Sequence, residues 1–466
     1  MNSTRNSFRS FSKELQPFWL RNNATIVFFI LLLIFAIYSL FLSTHLKRGI
    51  IPDEGYHFEL SLQFKPTWGI PPHSRFTESY GLNIRQSPFL GYWLNGRALN
   101  ILELIFKEPS NWRQLVFLRI VNTVFSIGTV SFTYLISKEL INNKWGQLLP
   151  VFVLTNTIMF VFLSGGVNYD NPSNFMSTAG LYFLIRVFNK KHYIKNSLGW
   201  LFCISLGTLI KITLLPVALI TTIFWIIHSI KNKSWENFKN INVKRYWLPI
   251  SFVIALLVLN FLIYGINYIK SQSLTPSCRD TYSDDVCSTT PFAKRRQTIG
   301  LPDKLTVSEA VKLKYPEPLR YFFDTWIRAM LKKIYGIMGH KSYYPKTIPY
   351  FHILLYWVTA LSFRYYDKSN FKMNSLMGII GFYTIVLIYK NYNSELNYGF
   401  KQVALQGRYI FPVISAIYVL FSHYVMKISN KPLLMITLII VVFLFIYGGP
   451  IRFFILYDSV FASWFV

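Results

Sequence analysis

Pro52-Asp53-Glu54-Gly55-Tyr56-His57-Phe58-Glu59 places four ionisable side chains within seven residues, just past the first long apolar run at 24–43. A carboxylate where a membrane helix meets water can take a proton from an acceptor hydroxyl, so Asp53 and Glu54 are the leading catalytic pair. The plainer reading is polar punctuation at a helix end. His57 and Glu59 either orient the carboxylate or are solvated loop residues. A second acidic segment, Val167-Asn168-Tyr169-Asp170-Asn171-Pro172, enters a later apolar run. There Asn171 fits a helix N-cap and Pro172 the first helical residue. Asp170 either favours that helix's dipole or faces Asp53 as a second carboxylate. Three cations sit near the ends of apolar runs: Arg119, Lys211 in Lys211-Ile212-Thr213, and Arg408 in Gln406-Gly407-Arg408-Tyr409. A charge at the bilayer centre costs about 2.5–3.5 kcal/mol, so each must snorkel or find a partner.

The elements that must position these residues are membrane helices. The 466 residues are 52% hydrophobic and 18% aromatic, with mean hydropathy +0.34, and apolar runs recur throughout. The pattern predicts an all-α polytopic membrane protein, a single transmembrane domain over 1–466. About eleven spans are expected, near 24–43, 114–136, 146–163, 172–188, 197–210, 213–230, 247–268, 349–366, 375–390, 409–426 and 432–449. The first has no small-residue cleavage site after it and reads as an anchor. The net charge of +28 collects in short loops, where topology and anionic lipid explain it better than nucleic acid.

Lys138, Lys144, Lys190, Lys191, Lys195, Lys231, Lys233, Lys239, Lys244, Arg245, Arg364, Lys368, Lys372, Lys427 and Lys431 fall on one side, with the tail residues Arg5, Arg9, Lys13 and Arg21. By the positive-inside rule that side is cytoplasmic, and the N-terminus with it. The outer side then receives 44–113, 269–348 and a shorter segment at 391–408. Ser87-Pro88 predicts a helix running to about Phe106. Residues 317–338 predict an amphipathic helix, with Leu319, Phe322, Phe323, Trp326, Ile327, Met330, Leu331, Ile334 and Tyr335 on one face. It would lie flat in the interface or pack on the outer domain. Cys278 and Cys287 flank a polar outer loop; they could form a disulfide or stay unpaired thiols, and Cys203 lies in a span.

No phosphate-binding Gly-Lys-Ser/Thr loop, His-Glu-x-x-His or Gly-x-Ser-x-Gly element is present, and the eight histidines are scattered, so no metal site is expected. On this topology the N-termini of the second, fourth, sixth, eighth and tenth spans point outward, next to Arg119, Asn171, Lys211 and Arg408. Converging, they would form an anion site at the outer membrane boundary.

This ordered set resembles the GT-C superfamily of integral membrane glycosyltransferases, which use polyprenyl-phosphate-linked sugars and include protein O-mannosyltransferases and lipid A aminoarabinose transferases. Pro52-Asp53-Glu54 is similar to the family's first-loop acidic motif. Leu118-Arg119-Ile120-Val121-Asn122 resembles its arginine segment, and Ser164-Gly165-Gly166-Val167-Asn168-Tyr169-Asp170 its short second outer loop. Gly207-Thr208-Leu209-Ile210-Lys211 resembles its Gly-x-x-x-Lys stretch, and Gln406-Gly407-Arg408-Tyr409 a late arginine element.

The resemblance implies Asp53 as general base, with Glu54 and Asp170 orienting the acceptor or stabilising positive charge on the sugar ring. Arg119, Lys211 and Arg408 would hold the donor phosphate, and His57, Asn168, Gln406 and Tyr409 are candidates for orienting the acceptor. It implies an inverting transfer on the periplasmic face of the inner (plasma) membrane, with no metal cofactor. The partners would be a polyprenyl-phosphate sugar, membrane lipid and an envelope glycan, lipid or protein acceptor, first among them a bacterial surface polysaccharide such as O-antigen. The competing classes are a transporter or flippase of an anionic lipid-linked substrate, and a polysaccharide polymerase.

Overall fold

Inside hydrocarbon every backbone N–H and C=O must be paired within its own segment, so the apolar runs fold as helices. The computed structural model describes residues 18–234, 236, 243–291, 293–294, 305–314, 317–398 and 405–466, with backbone only at 18–22, 243 and 397–398. Arg5, Arg9, Lys13 and Lys239, used above for orientation, lie outside the described residues, as does the side chain of Arg21. The helices that matter for the site are α1 (Phe18–His45), α2 (Glu54–Phe64), α3 (Leu90–Ile105), α4 (Asn111–Leu140), α5 (Leu149–Thr155), α6 (Ile158–Ser164), α7 (Asp170–Phe188), α8 (Tyr193–Ile210), α9 (Leu215–Lys231) and α10 (Val243–Asn260). Pro318–Arg320, Tyr321–Ile327 and Arg328–Ile334 run on as α11; α12 (Ile348–Arg364), α13 (Phe371–Tyr398), α14 (Ile414–Val425) and α15 (Lys431–Tyr447) follow.

Among the described residues seven helical stretches are long and apolar enough to cross a membrane: Asn23–His45, Asn111–Leu140, Ile212–Lys231, Lys244–Ser271, Phe371–Leu396, Gly407–Val425 and Lys431–Ile455. The chain is a multi-pass all-α membrane protein, with fewer qualifying spans than the eleven expected. Three of the other four are helices of 19, 18 and 17 residues, α7, α8 and α12. The fourth, 146–163, breaks at Asn156-Thr157 into α5 and α6. Both halves are buried, so a hydropathy window reads across the break.

α7 runs through the middle, packed on α4, α8 and the 3-10 turn Gly407–Val413 that leads into α14. Its polar residues explain its low hydropathy: Asp170, Asn171, Ser173, Asn174, Ser177 and Thr178 are all buried. Ser177 Oγ donates to Pro412 O at 2.5 Å, and Thr178 and Ser415 share a hydrogen bond at 3.1 Å. Hydroxyls of this kind tie membrane helices together where lipid gives no hydrophobic drive.

Two local expectations shift. α3 begins at Leu90 because Ser87 is the extended end of a 3-10 turn, Ile84–Gln86. α11 ends at Ile334, and Ile337–Met338 pair antiparallel with Ser342–Tyr343. A Cβ on Gly336 would fall 2.7 Å from Lys332 O and 2.9 Å from Tyr343 O, so this turn requires glycine. The middle of α11 is in π register, which shifts the phase of the side chains. Leu319 and Phe323, expected on the apolar face, are exposed, while Tyr321, Trp326, Met330 and Lys333 are buried. α11 packs on α12, α6 and the Gly407–Val413 turn. Cys278 and Cys287 are joined by a disulfide. Its loop docks on the 44–113 segment, where Tyr282 Oη donates to Leu82 O at 3.1 Å; ahead of the loop, Asn267 Nδ2 donates to Gln86 O at 2.8 Å.

Candidate active site

The starts of α7, α9 and α14 supply Asp170, Lys211 and Arg408, and Arg119 lies in the third turn of α4. α7 starts at Asp170 itself. Asn168, rather than Asn171, organises that start: its Oδ1 accepts the Asn171 N–H at 2.9 Å, and its Nδ2 donates to Leu163 O at 3.1 Å. Asn168 therefore builds the turn and is not placed to orient an acceptor. Lys211 is the extended residue between the end of α8 and the 3-10 turn Ile212–Leu214, so its side chain leaves the helix axis. Arg408 lies in the 3-10 turn before α14.

Three carboxylates and three cations pair off. Asp170 takes Lys211 Nζ on Oδ1, and Arg408 Nη1 lies 3.6 Å from its Oδ2. Arg408 Nη2 reaches on to Asp53 Oδ2, so one guanidinium spans both acidic segments. Asp53 and Asp170, 117 positions apart in the chain, thus meet through Arg408.

The third pair has a different job from the one expected. Arg119 and Glu54 are both 0% exposed and bind as a fork, Nε to Oε1 and Nη2 to Oε2, each at 2.7 Å. Arg119 Nη1 also donates to Leu46 O at 2.7 Å and Ser43 O at 3.2 Å, and Glu54 accepts the Val167 N–H at 3.2 Å. The arginine thus satisfies carbonyls at the end of α1, and the glutamate ties α2 to the turn before α7. With its donors occupied and no exposed surface, Arg119 is not placed to hold a phosphate. Glu54 is likewise out of an acceptor's reach.

Asp53 is the carboxylate that faces outward. Its side chain is 51% exposed and its backbone is left-handed, φ 58, a conformation that aspartate tolerates better than most residues. Crowding by surrounding atoms works to raise its pKa, but the Arg408 guanidinium outweighs this and holds the carboxyl below its ordinary value. His57 is buried, which pushes its pKa down to about 4. Its Nδ1 is 3.0 Å from Tyr92 Oη and its ring stands edge-on to Tyr169. His57 therefore packs the floor behind Asp53 as a neutral ring. Glu59 pairs with Arg48 at the surface.

Next to the ion pairs lies a cavity of about 270 Å³, lined by Tyr56, Tyr169, Lys211, Tyr409, Lys390 and Asn391 among others. Lys211 Nζ stands 4.7 Å from the Tyr169 ring centre and 5.2 Å from that of Tyr409, a cation–π arrangement. Gln406 Oε1 is buried without a partner among the described residues. The sequence reading missed Lys390. Its only signal is a lysine near the outer end of an apolar span, which snorkelling also explains. Among the described residues no group of three or more His, Cys, Asp and Glu side chains is placed to hold a metal ion.

Gly407 fixes where Arg408 sits. A Cβ there would lie 2.3 Å from Lys333 O and 2.4 Å from Lys333 C, backbone atoms of α11. Lys333 in turn donates to Leu405 O at 2.5 Å. Gly407→Ala is expected to cost about 1–3 kcal/mol of stability and to displace Arg408. A melting curve in detergent together with an activity assay checks this; an unchanged variant would mean that α11 does not set the arginine.

The site is a polar, ion-paired cluster near helix ends on a multi-pass helical scaffold. Residues 88–264, under half of the chain, match the family model described as dolichyl-phosphate-mannose-protein mannosyltransferase. The oligosaccharyltransferase AglB from Archaeoglobus fulgidus, solved with an inhibitory peptide and a dolichol-phosphate, superposes with a TM-score of 0.51 at 15% identity, over 93% of this chain and 55% of that one. ArnT from Cupriavidus metallidurans, bound to undecaprenyl phosphate, gives 0.47 at 11% identity over 90% of this chain and 63% of its own. The arabinosyltransferase EmbB from Mycobacterium smegmatis gives 0.43 at 9% identity over 86% and 30%. This chain therefore spans less than two thirds of the length of each. No curated protein matches it by sequence. The chain has the GT-C fold.

Proposed function

We propose that this chain is a glycosyltransferase that moves a sugar from a polyprenyl-phosphate-linked donor to an acceptor on the outer face of the membrane, a bacterial surface polysaccharide such as O-antigen. The active face, with segments 44–113 and 269–348, is periplasmic; the N-terminus is cytoplasmic and the membrane is the inner one. The observation that carries the reading is Asp53: a half-exposed carboxylate held by Arg408 beside a cavity lined by Lys211. The mannosyltransferase family match, which includes Asp170 and Lys211, supports a lipid-phosphate donor. AglB, which shares the fold, was solved with dolichol-phosphate.

In this mechanism the acceptor oxygen attacks the anomeric carbon from the face opposite the phosphate, and configuration inverts. The new C–O bond forms as the bond from carbon to the phosphate oxygen breaks. The phosphate leaves with the electron pair, and Asp53 takes the hydroxyl proton. Arg408 and Lys211 stabilise the charge that grows on the leaving group. Asp170 holds both cations in place, and on this reading no metal cofactor takes part.

Reconstitution with labelled polyprenyl-phosphate sugars and a membrane glycan extract tests the reading. Transfer of label to the glycan is expected; no transfer from any monophosphate donor would favour a transporter or a polymerase. The same assay gives a pH profile. The active form of Asp53 is the anion and its pKa is depressed, so activity is fully present above the ordinary carboxylate value and is lost only as pH falls below it. His57 is already neutral well above pH 4. The profile is therefore expected to be flat from about pH 5 to 8 as far as these two groups set it. In kcat/KM, which reports the free enzyme, an acid limb centred within that window would remove Asp53, as placed here, from the role of base; in kcat, which reports the donor complex, the limb is expected to shift upward.

A further inference from the structure

The three cations expected to bind phosphate arrive already neutralised. Asp53, Glu54 and Asp170 balance Arg119, Lys211 and Arg408, one for one. A site so balanced offers an incoming anion no net charge. Lys390 changes that sum. It lines the cavity together with Lys211 and Tyr409, keeps solvent-accessible surface although surrounding atoms crowd its ammonium, and forms no ion pair among the described residues.

Its ammonium lies within Coulombic reach of Lys211, so two like charges face one small space with only one of them compensated. The next residue, Asn391, accepts a hydrogen bond from buried Trp326 Nε1 at 3.0 Å, which fixes this turn of α13 against α11. Two lysines held apart at one cavity wall are disfavoured unless an anion joins them.

We propose that Lys390 is the principal charge that captures a phosphate group in this cavity, with Lys211 as its second donor. Arg408 and Lys211 serve mainly to order the acidic segments until the anion arrives. The single surplus positive charge matches the single negative charge of a phosphodiester, the linkage of a lipid-phosphate sugar. This rests on the donor class proposed above. The same chemistry would also take free phosphate, and the source is separated by experiment.

The test uses the full chain in nanodiscs and polyprenyl phosphate as probe, with Lys390→Gln and Lys390→Arg beside the unmodified protein. Lys390 keeps solvent-accessible surface and forms no ion pair among the described residues, so both variants are expected to melt as the unmodified protein does. Lys390→Gln is expected to weaken binding about tenfold or more, and Lys390→Arg to recover most of it, as charge-assisted hydrogen bonds to phosphate require. Equal binding by unmodified protein and Lys390→Gln would overturn the assignment while leaving the donor class intact; Lys390 would then be a snorkelling lysine. No binding of the probe by unmodified protein would overturn the donor class and this inference with it. Inorganic phosphate is titrated in parallel. Competition at millimolar concentration that depends on Lys390 supports the subsite with free phosphate as its source. Competition only by the lipid form supports it with the membrane as its source.

Discussion

Asp53→Asn is expected to slow sugar transfer by about 10²–10⁴-fold, the usual worth of a positioned general base, with donor binding unchanged or tighter. The second half of that expectation comes from the geometry. Arg408 holds Asp53 and lies close to Asp170, so an uncharged amide in place of the Asp53 carboxylate would remove a competitor for the guanidinium. The pairing also explains how a carboxylate with a depressed pKa can serve as a base. Arg408 keeps Asp53 ionised but weakens its pull on a proton. A phosphate that draws the guanidinium toward itself leaves Asp53 less compensated, and a more basic carboxylate then faces the acceptor. Single-turnover transfer, with donor binding measured separately, reads both effects. Transfer at the unmodified rate would end the general-base assignment. A loss that tracks weakened donor binding would recast Asp53 as a residue that only positions Arg408.

Much of this site could be read from the chain, and the unread part has a physical cause. Charge type and position near span ends are local properties, so Asp53, Asp170, Lys211 and Arg408 stood out as residues that must find partners. Which partner each finds is not local. Asp53 and Arg408 are 355 positions apart, Glu54 and Arg119 are 65, and Asp170 and Lys211 are 41. Neighbours in sequence even divide: Asp53 turns outward while Glu54 turns into the protein. Burial of that kind follows from packing, to which hydropathy is blind. The same blindness hides the break between α5 and α6, where both halves are buried, and it makes α7 look a weak span because its polar residues face other helices instead of lipid. Lys390 was legible only as a lysine at a span end; its significance appears once the other cations are seen to be spent on carboxylates.

The Arg119–Glu54 fork should be the most sensitive point in the fold. Both groups are fully enclosed, and removing one leaves the other charged with no water to solvate it. Loss of one partner from a buried pair typically costs about 3–5 kcal/mol, a large share of the stability of any domain. Arg119→Met and Glu54→Leu are each expected to lower the melting temperature sharply or to prevent recovery of folded protein. The double variant should regain much of the loss, because an apolar pair of similar volume leaves no buried charge. Recovery should be incomplete, since Arg119 also satisfies the Leu46 and Ser43 carbonyls at the end of α1 and Glu54 the Val167 N–H. Thermal unfolding of the four proteins in one detergent forms a double-mutant cycle that isolates the coupling. If Arg119 instead binds phosphate, Arg119→Met would keep the fold and lose only donor affinity, and the cycle would show no coupling to Glu54. Strong coupling would assign the pair to holding Asp53 in place: the fork pins the residue directly after Asp53 to the core, and so leaves Asp53 itself facing out beside Arg408.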